Sequence, residues 1–258
     1  MTAPPLVTMH VWTIPTRHVP GSLWRMASQR RRIRNFPGVT FAKLLGTGSG
    51  TTFGVADVDV HNWCLLTVWD QPQAAAAFER SRVTRQWDAS ATERLRVEMR
   101  PLASKGTWSG QHPFGGPNAT RLGDLSGDAP VGPVAAVTRA RLHPRHALTF
   151  WRSVPTVAKA LHRAPGLLLA MGIGEAPIGL QGTFSVWRSA DELTDFAYRT
   201  HEHQRAIERT DEVGWYVEDL FARFEVLSLS GTHRGVHDLR PPPRLAARTK
   251  SESPGSVG

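Results

Sequence analysis

Cysteine is nearly absent. Cys64 stands alone in 258 residues, which excludes an internal disulfide framework and a multi-cysteine zinc centre and makes a reducing, cytoplasmic setting the expectation. No run of about 18 consecutive apolar residues occurs, so a membrane-spanning helix is not expected. The first six residues lack the basic start and apolar stretch of a secretory signal. Lysine is scarce as well: only Lys43, Lys105, Lys159 and Lys250 occur, and arginine supplies the other 27 of the 31 basic residues. The formal charge of +9 favours anionic partners such as nucleic acid, an acidic membrane surface or an acidic protein. No helix-turn-helix, zinc-finger or aromatic RNA-binding signature accompanies that charge, so nucleic acid is not the expected partner. Nor does the chain hold a Ser-His-Asp order, a nucleophile elbow or paired carboxylates.

What the chain does have is an internal repeat. Leu23-Trp24-Arg25, Pro37-Gly38, Gly46-Thr47-Gly48, Thr67-Val68-Trp69, Phe78 and Gly106-Thr107-Trp108-Ser109-Gly110 occur in the first half. Phe150-Trp151-Arg152, Pro165-Gly166, Gly172-Ile173-Gly174, Ser185-Val186-Trp187, Phe196 and Gly231-Thr232-His233-Arg234-Gly235 occur in the same order in the second. The step from tryptophan to phenylalanine is nine residues in both, and the order reads as a duplication. Each half carries an alternating strand (7–13; 134–140) and a helix (21–35; 145–163). A Pro-Gly turn then leads into two strands (39–45 and 63–69; 167–171 and 182–187), followed by a helix and a last strand (95–102; 224–228). This is β-α-β-β-α-β, an α+β, ferredoxin-like plan, and two such units can pack sheet to sheet around a barrel-like core. The expected organisation is a first repeat at 7–110, a Gly- and Pro-rich linker at 111–133, a second repeat at 134–237 and a disordered Pro-rich tail at 238–258.

The halves differ around the second helix. Trp187 to Gly231 is seven residues longer than Trp69 to Gly106, so a site is sought there. Ser189 and Glu192 form a capping box. If the helix continues, Leu193, Phe196, Thr200, His203 and Ile207 share one face, and His201 lies about 200° around from His203. An inward His203 near Trp215, Tyr216 and Phe221 suits an axial haem ligand. A core histidine bonded to a neighbour satisfies the same pattern. Cys64 sits in a buried-strand sequence and reads as a small core residue. Gly46-Thr47-Gly48-Ser49-Gly50 lacks a following helix and reads as a strand-end turn rather than a phosphate loop. The run Gln29-Arg30-Arg31-Arg32-Ile33-Arg34 could touch phosphates or lipid headgroups, although such runs are more often a solvated helix face.

Several of these stretches together resemble the spheroidene monooxygenase (carotenoid 2-ketolase) family, within the dimeric α/β-barrel superfamily. They are Phe41–Gly48, Leu65–Asp70, Gly106–Gly110 with Pro113-Phe114, and Gly132–Arg139. In the second half they are Gly174–Pro177, Thr183–Trp187, His203–Ile207 and Gly214–Phe224. The resemblance spans residues 9–235. It implies a haem-dependent monooxygenase that takes O2 and electrons from a donor such as a ferredoxin and oxidises C-2 of a linear carotenoid, with His203 as the iron ligand. So apolar a substrate must arrive from a membrane, and a basic surface without a spanning helix suits peripheral docking. The readings kept beside it are an aldoxime dehydratase-like haem reaction, a non-catalytic haem or hydrophobic-ligand binding protein, and a cofactor-free oxygenase on the same scaffold. Gly231–Gly235 departs from Gly106–Gly110, with His233 where Trp108 stands.

Overall fold

The computed structural model describes residues 5–48, 57–115, 130–142, 158, 160–175, 182–199 and 216–238. The first half runs β1 (Leu6–Thr13), α1 (Val19–Ser28), α2 (Arg30–Arg34), β2 (Val39–Gly48), β3 (Val58–Trp69), α3 (Pro72–Glu79), α4 (Arg82–Asp88) and β4 (Glu93–Gly106). The second runs β5 (Val134–Leu142), β6 (Leu167–Gly174), β7 (Gly182–Trp187), α5 (Ala190–Arg199) and β8 (Tyr216–Gly231). Each expected strand is present, and most are longer than expected. Of the helix expected at 145–163, residues 158 and 160–163 are described and are helical.

The eight strands close into one antiparallel barrel in the order β1-β3-β2-β6-β7-β5-β8-β4. Within it, β4-β1-β3-β2 and β8-β5-β7-β6 have the same relative order. Two seams join them, a long one between β4 and β8 and a short one between β2 and β6. Closure leaves no sheet edge to pair with another chain.

Strand alternation sorts the side chains. Val7, Met9 and Val11 of β1, Cys64, Leu66 and Val68 of β3, and Leu220, Ala222 and Phe224 of β8 point inward and fill the barrel. On the outside of the first half, Trp12, Trp63, Trp69, Phe78 and Trp87 pack under α1–α4. On the outside of the second, Val134, Trp187, Ala190 and Leu193 form a smaller cluster. Phe114 opens the stretch expected to be linker, yet it is buried in the barrel with its ring edge-on to Phe224 at 4.9 Å. The glycines around it concealed a core residue.

Two turns show why glycine is required. At Gly38 and Gly166 φ is +82° and +78°, and a Cβ would fall 2.3 Å from Ala74 Cβ and 2.0 Å from the Glu192 carboxyl. Each turn therefore brings the chain against the helix that follows the next two strands.

Candidate functional site

Both ends of the barrel are polar. At one end the inward parity of four elements changes from apolar to charged. Lys43 follows Phe41 on β2, Arg139 follows Ala135 and Val137 on β5, Glu218 precedes Leu220 on β8, and Glu175 follows β6. Arg139 is 4% exposed. It donates to Glu218 at 2.5 Å and to Glu175 at 3.2 Å. Lys43 donates to Glu175 at 2.7 Å and to Ser109 at 2.6 Å. Trp108 donates from Nε1 to Glu175 at 2.6 Å, and the Lys43 and Arg139 cations lie 5.8 and 5.5 Å from its ring centre. Burial raises the Glu218 carboxyl, but the Gly110 N–H, Arg139 and Thr107 outweigh it and hold the group near 2. Glu175 is lowered in the same way by Lys43, Trp108 and Arg139 against its burial.

The loop that carries Trp108 is strained to reach this place. Gly106 and Gly110 have φ of +87° and +70°, and Ser109 has φ of +56°. The matching loop at the other end repeats the geometry, with Gly231 and Gly235 at +88° and +82° and Arg234 at +48°. There His233, buried, shares a hydrogen bond with Thr13 Oγ1 at 3.2 Å, and Arg234 donates to Asp59 at 2.6 Å. Burial, then the Arg234 charge, lowers His233 to about 4, so its imidazole is neutral at pH 7.

Among the described residues polar pairing fills both ends, and the first pairs two cations with two carboxylates held ionised. Inside the barrel, burial pushes the Cys64 thiol well above its ordinary range. A thiol so held is inert. Among the described residues no three His, Cys, Asp or Glu side chains come together as a metal site.

The outer face of the second sheet is different. Trp69 pairs with Leu6, and Trp187 with Val134, which aligns the two sheets. Counting from there, one transverse row of the first sheet is Arg96, His10, Leu65 and Leu44. The equivalent row of the second is Phe221, Thr138, Thr183 and Gly172. One row further, Ala140 takes the place of Trp12. Where the first sheet carries His10, Trp12, Leu65 and Leu44, the second thus carries the smaller Thr138, Ala140, Thr183 and Gly172, which form a floor beside Phe221. Further along the same face Trp187 and Phe196 of α5, with ring centres 5.2 Å apart, pack with Val134, Ala190 and Leu193, and Arg223 reaches Thr194 of the same helix at 3.5 Å.

Of the residues singled out in the sequence, Phe221 lies on this floor, half-buried. Tyr216 opens β8. His203 and Trp215 lie outside the described residues. The capping box is present: Ser189 Oγ accepts from the Glu192 N–H at 3.2 Å. Leu193 and Phe196 face the sheet as their spacing requires.

His10 was missed. It is buried, stacked on Trp12 at 5.2 Å and 2.6 Å from Glu79 Oε1. Burial, the largest influence, lowers it, against the hydrogen bond and charge of Glu79. Arg139 and Glu218 were also missed, although polar residues at core parity in a strand are a usable signal.

No protein-family model matches the chain. The spheroidene monooxygenase of Rhodobacter capsulatus is 32% identical over 225 residues, covering 87% of this chain and 90% of that protein. The one from Rubrivivax gelatinosus is 38% identical over 200 residues, covering 77% and 73%. In fold, the chain is similar to an aldoxime dehydratase at a TM-score of 0.53 and 13% identity, over 86% of this chain and 82% of that one. A second aldoxime dehydratase structure, in complex with butyraldoxime, gives a TM-score of 0.54 at 12% identity, over 86% and 80%. These structures share the eight-stranded α+β barrel. The near-full-length identity to the curated relatives goes further: the chain belongs to the spheroidene monooxygenase family, whose members are oxygen-dependent monooxygenases.

Proposed function

We propose that this chain is a haem-dependent monooxygenase that oxidises C-2 of a linear carotenoid, with the haem against the outer face of the second sheet. The observation that carries this reading is the small-residue floor of Thr138, Ala140, Thr183 and Gly172, where the first half carries His10, Trp12, Leu65 and Leu44. A flat apolar group needs such a floor. Phe221 adds an aromatic side chain to the same row, and the apolar cluster of Trp187 and Phe196 lies further along the face. The residues present therefore fit the group. His203 follows α5 at the spacing that continues the Leu193 and Phe196 face, and is the proposed axial ligand. Trp215, Tyr216 and Phe221 are the other residues that would hold the haem.

When bound, the haem supplies oxygen activation at iron, and the protein's part is orientation and exclusion. The apolar face holds one methylene beside a terminal double bond in place. A first round would consume O2, two protons and two electrons from a donor such as a ferredoxin, leaving one oxygen atom as a hydroxyl on the carbon and the other as water. A second round at the same carbon leads to the ketone. The equal strand order of the two halves, and their matching strained loops at 106–110 and 231–235, support descent by duplication with one copy modified for the site. We place the protein in the cytoplasm, with its substrate drawn from a membrane.

The test is the visible spectrum of protein expressed with haem precursor, before and after dithionite and CO. A Soret band that shifts on reduction and CO binding is expected. His203→Ala abolishes haem retention and His201→Ala leaves it intact. Equal loss in both variants, or no Soret band even after added haemin, overturns the reading.

A further inference from the structure

The first acidic residue in the chain is Asp57. Before it stand Arg17, Arg25, Arg30, Arg31, Arg32, Arg34 and Lys43. Two of these, Arg30 and Lys43, turn toward Glu175. The others gather on or beside α1 and α2, where Arg31, Arg32 and Arg34 are exposed while Ile33 anchors the helix in the core.

On α1 the pattern inverts. Ser22 and Met26 are buried, while Leu23 and Trp24 point outward at 41% and 72% exposure. Trp24 is the most exposed aromatic side chain among the described residues. Below it a groove of about 860 Å³ is lined by Trp24, Arg25, Arg31, Arg32, Phe36 and Gln86, among others. In its wall Arg25 stacks on Trp87 at 5.1 Å and donates to Ser90, while its Nη1 has no partner among the described residues.

An exposed Trp-Leu pair beside arginines that have no ion pair among the described residues is the composition of a helix lying in a bilayer interface. The indole and leucine enter the headgroup boundary, and the guanidinium groups meet lipid phosphates. Nucleic acid would engage the arginines and leave Leu23 and Trp24 without a reason to be outside. We infer that the α1–α2 face is a docking surface for an anionic lipid bilayer, with Leu23 and Trp24 inserted and Arg31, Arg32 and Arg34 on the headgroups. The inference rests on the proposed use of a membrane-borne substrate, and gives that contact a definite place on the protein.

The experiment is co-sedimentation of the full chain with vesicles of phosphatidylcholine alone or with about 30 mol% phosphatidylglycerol. A duplex DNA oligonucleotide serves as competitor. The protein binds the anionic vesicles and not the neutral ones. Leu23→Ser with Trp24→Ser lowers the partition coefficient tenfold or more with an unchanged circular dichroism spectrum. Each of Arg31→Gln, Arg32→Gln and Arg34→Gln lowers it about fivefold, from the roughly 1 kcal/mol a cation contributes near such a surface. Absence of binding, indifference to the Leu23 and Trp24 change, or displacement of vesicles by DNA overturns the inference. The readout needs neither haem nor carotenoid. Turnover of detergent-dispersed substrate stays at the parent level in the Leu23 and Trp24 variant, so failure of the docking surface and failure of the proposed reaction are separable.

Discussion

Arg139→Met is the most informative change at the sealed barrel end. Methionine keeps an unbranched apolar stem like that of the arginine and removes the guanidinium and its charge. The guanidinium touches Glu218 at 2.5 Å and Glu175 at 3.2 Å, and lies over Trp108. Glu175 keeps Lys43 at 2.7 Å, whereas Glu218 keeps only Thr107 Oγ1 and the Gly110 N–H. Removing one partner of a buried ion pair costs about 3–5 kcal/mol. Folded domains are stable by about 5–15 kcal/mol in total, so the loss is a large share. At a urea slope of about 3 kcal/mol per molar, the midpoint at pH 7 falls by about 1–1.7 M with the slope unchanged. Tryptophan fluorescence reads it.

Two further measurements separate charge from packing. Glu218→Gln added to Arg139→Met removes the stranded carboxylate and restores most of the loss, because a neutral pair replaces a broken one. The gap between Arg139→Met and the parent also closes in acid. In the parent, Glu218 is held near 2 in the folded state, below its ordinary 4.5. Its stabilisation is full above about 4.5 and is lost as pH falls toward 2. The variant has little of it to lose. A midpoint shift under about 0.3 M, or a double variant as unstable as the single one, would refute the argument that the cluster is held by ion pairing.

Three smaller tests follow. His233, lowered to about 4 from 6.5, binds protons less readily folded than unfolded. Parent stability therefore rises between pH 4 and 6.5, and His233→Gln flattens that rise in a urea-midpoint series. Gly106→Ala places a Cβ 2.2 Å from the Asp219 carbonyl oxygen at φ +87° and costs several times the ~1 kcal/mol of Gly110→Ala, which meets only open space. Glu79 is held at about 2 by His10, Arg96 and Arg94 against its burial. Its contribution is present above 4.5 and fades as pH falls toward 2, and Glu79→Gln removes that acid dependence in the same assay.

Much of the fold was legible because strand alternation is local. β1, β2, β3, β5, β6 and β7 follow from two-residue periodicity and from Pro-Gly turns at Gly38 and Gly166. The capping box at Ser189 and Glu192 likewise depends on residues three apart. The burial of Phe114 was not legible because its partner Phe224 is more than a hundred residues away.

The site divides along the same line. The chain by itself determined the alternation, the duplicated landmarks and the family, since each is written in neighbouring residues or in their order. Only the tertiary structure decided which face of which sheet carries the smaller strand side chains. That Thr138, Thr183 and Gly172 form a single row depends on the register of three strands, and that they stand where His10, Leu65 and Leu44 do depends on two sheets having the same order. Closure decided the rest. The seams between β4 and β8 and between β2 and β6 bring Lys43, Trp108, Arg139, Glu175 and Glu218 to one barrel end. Pairing energy between such distant groups has no signature in any short stretch of chain.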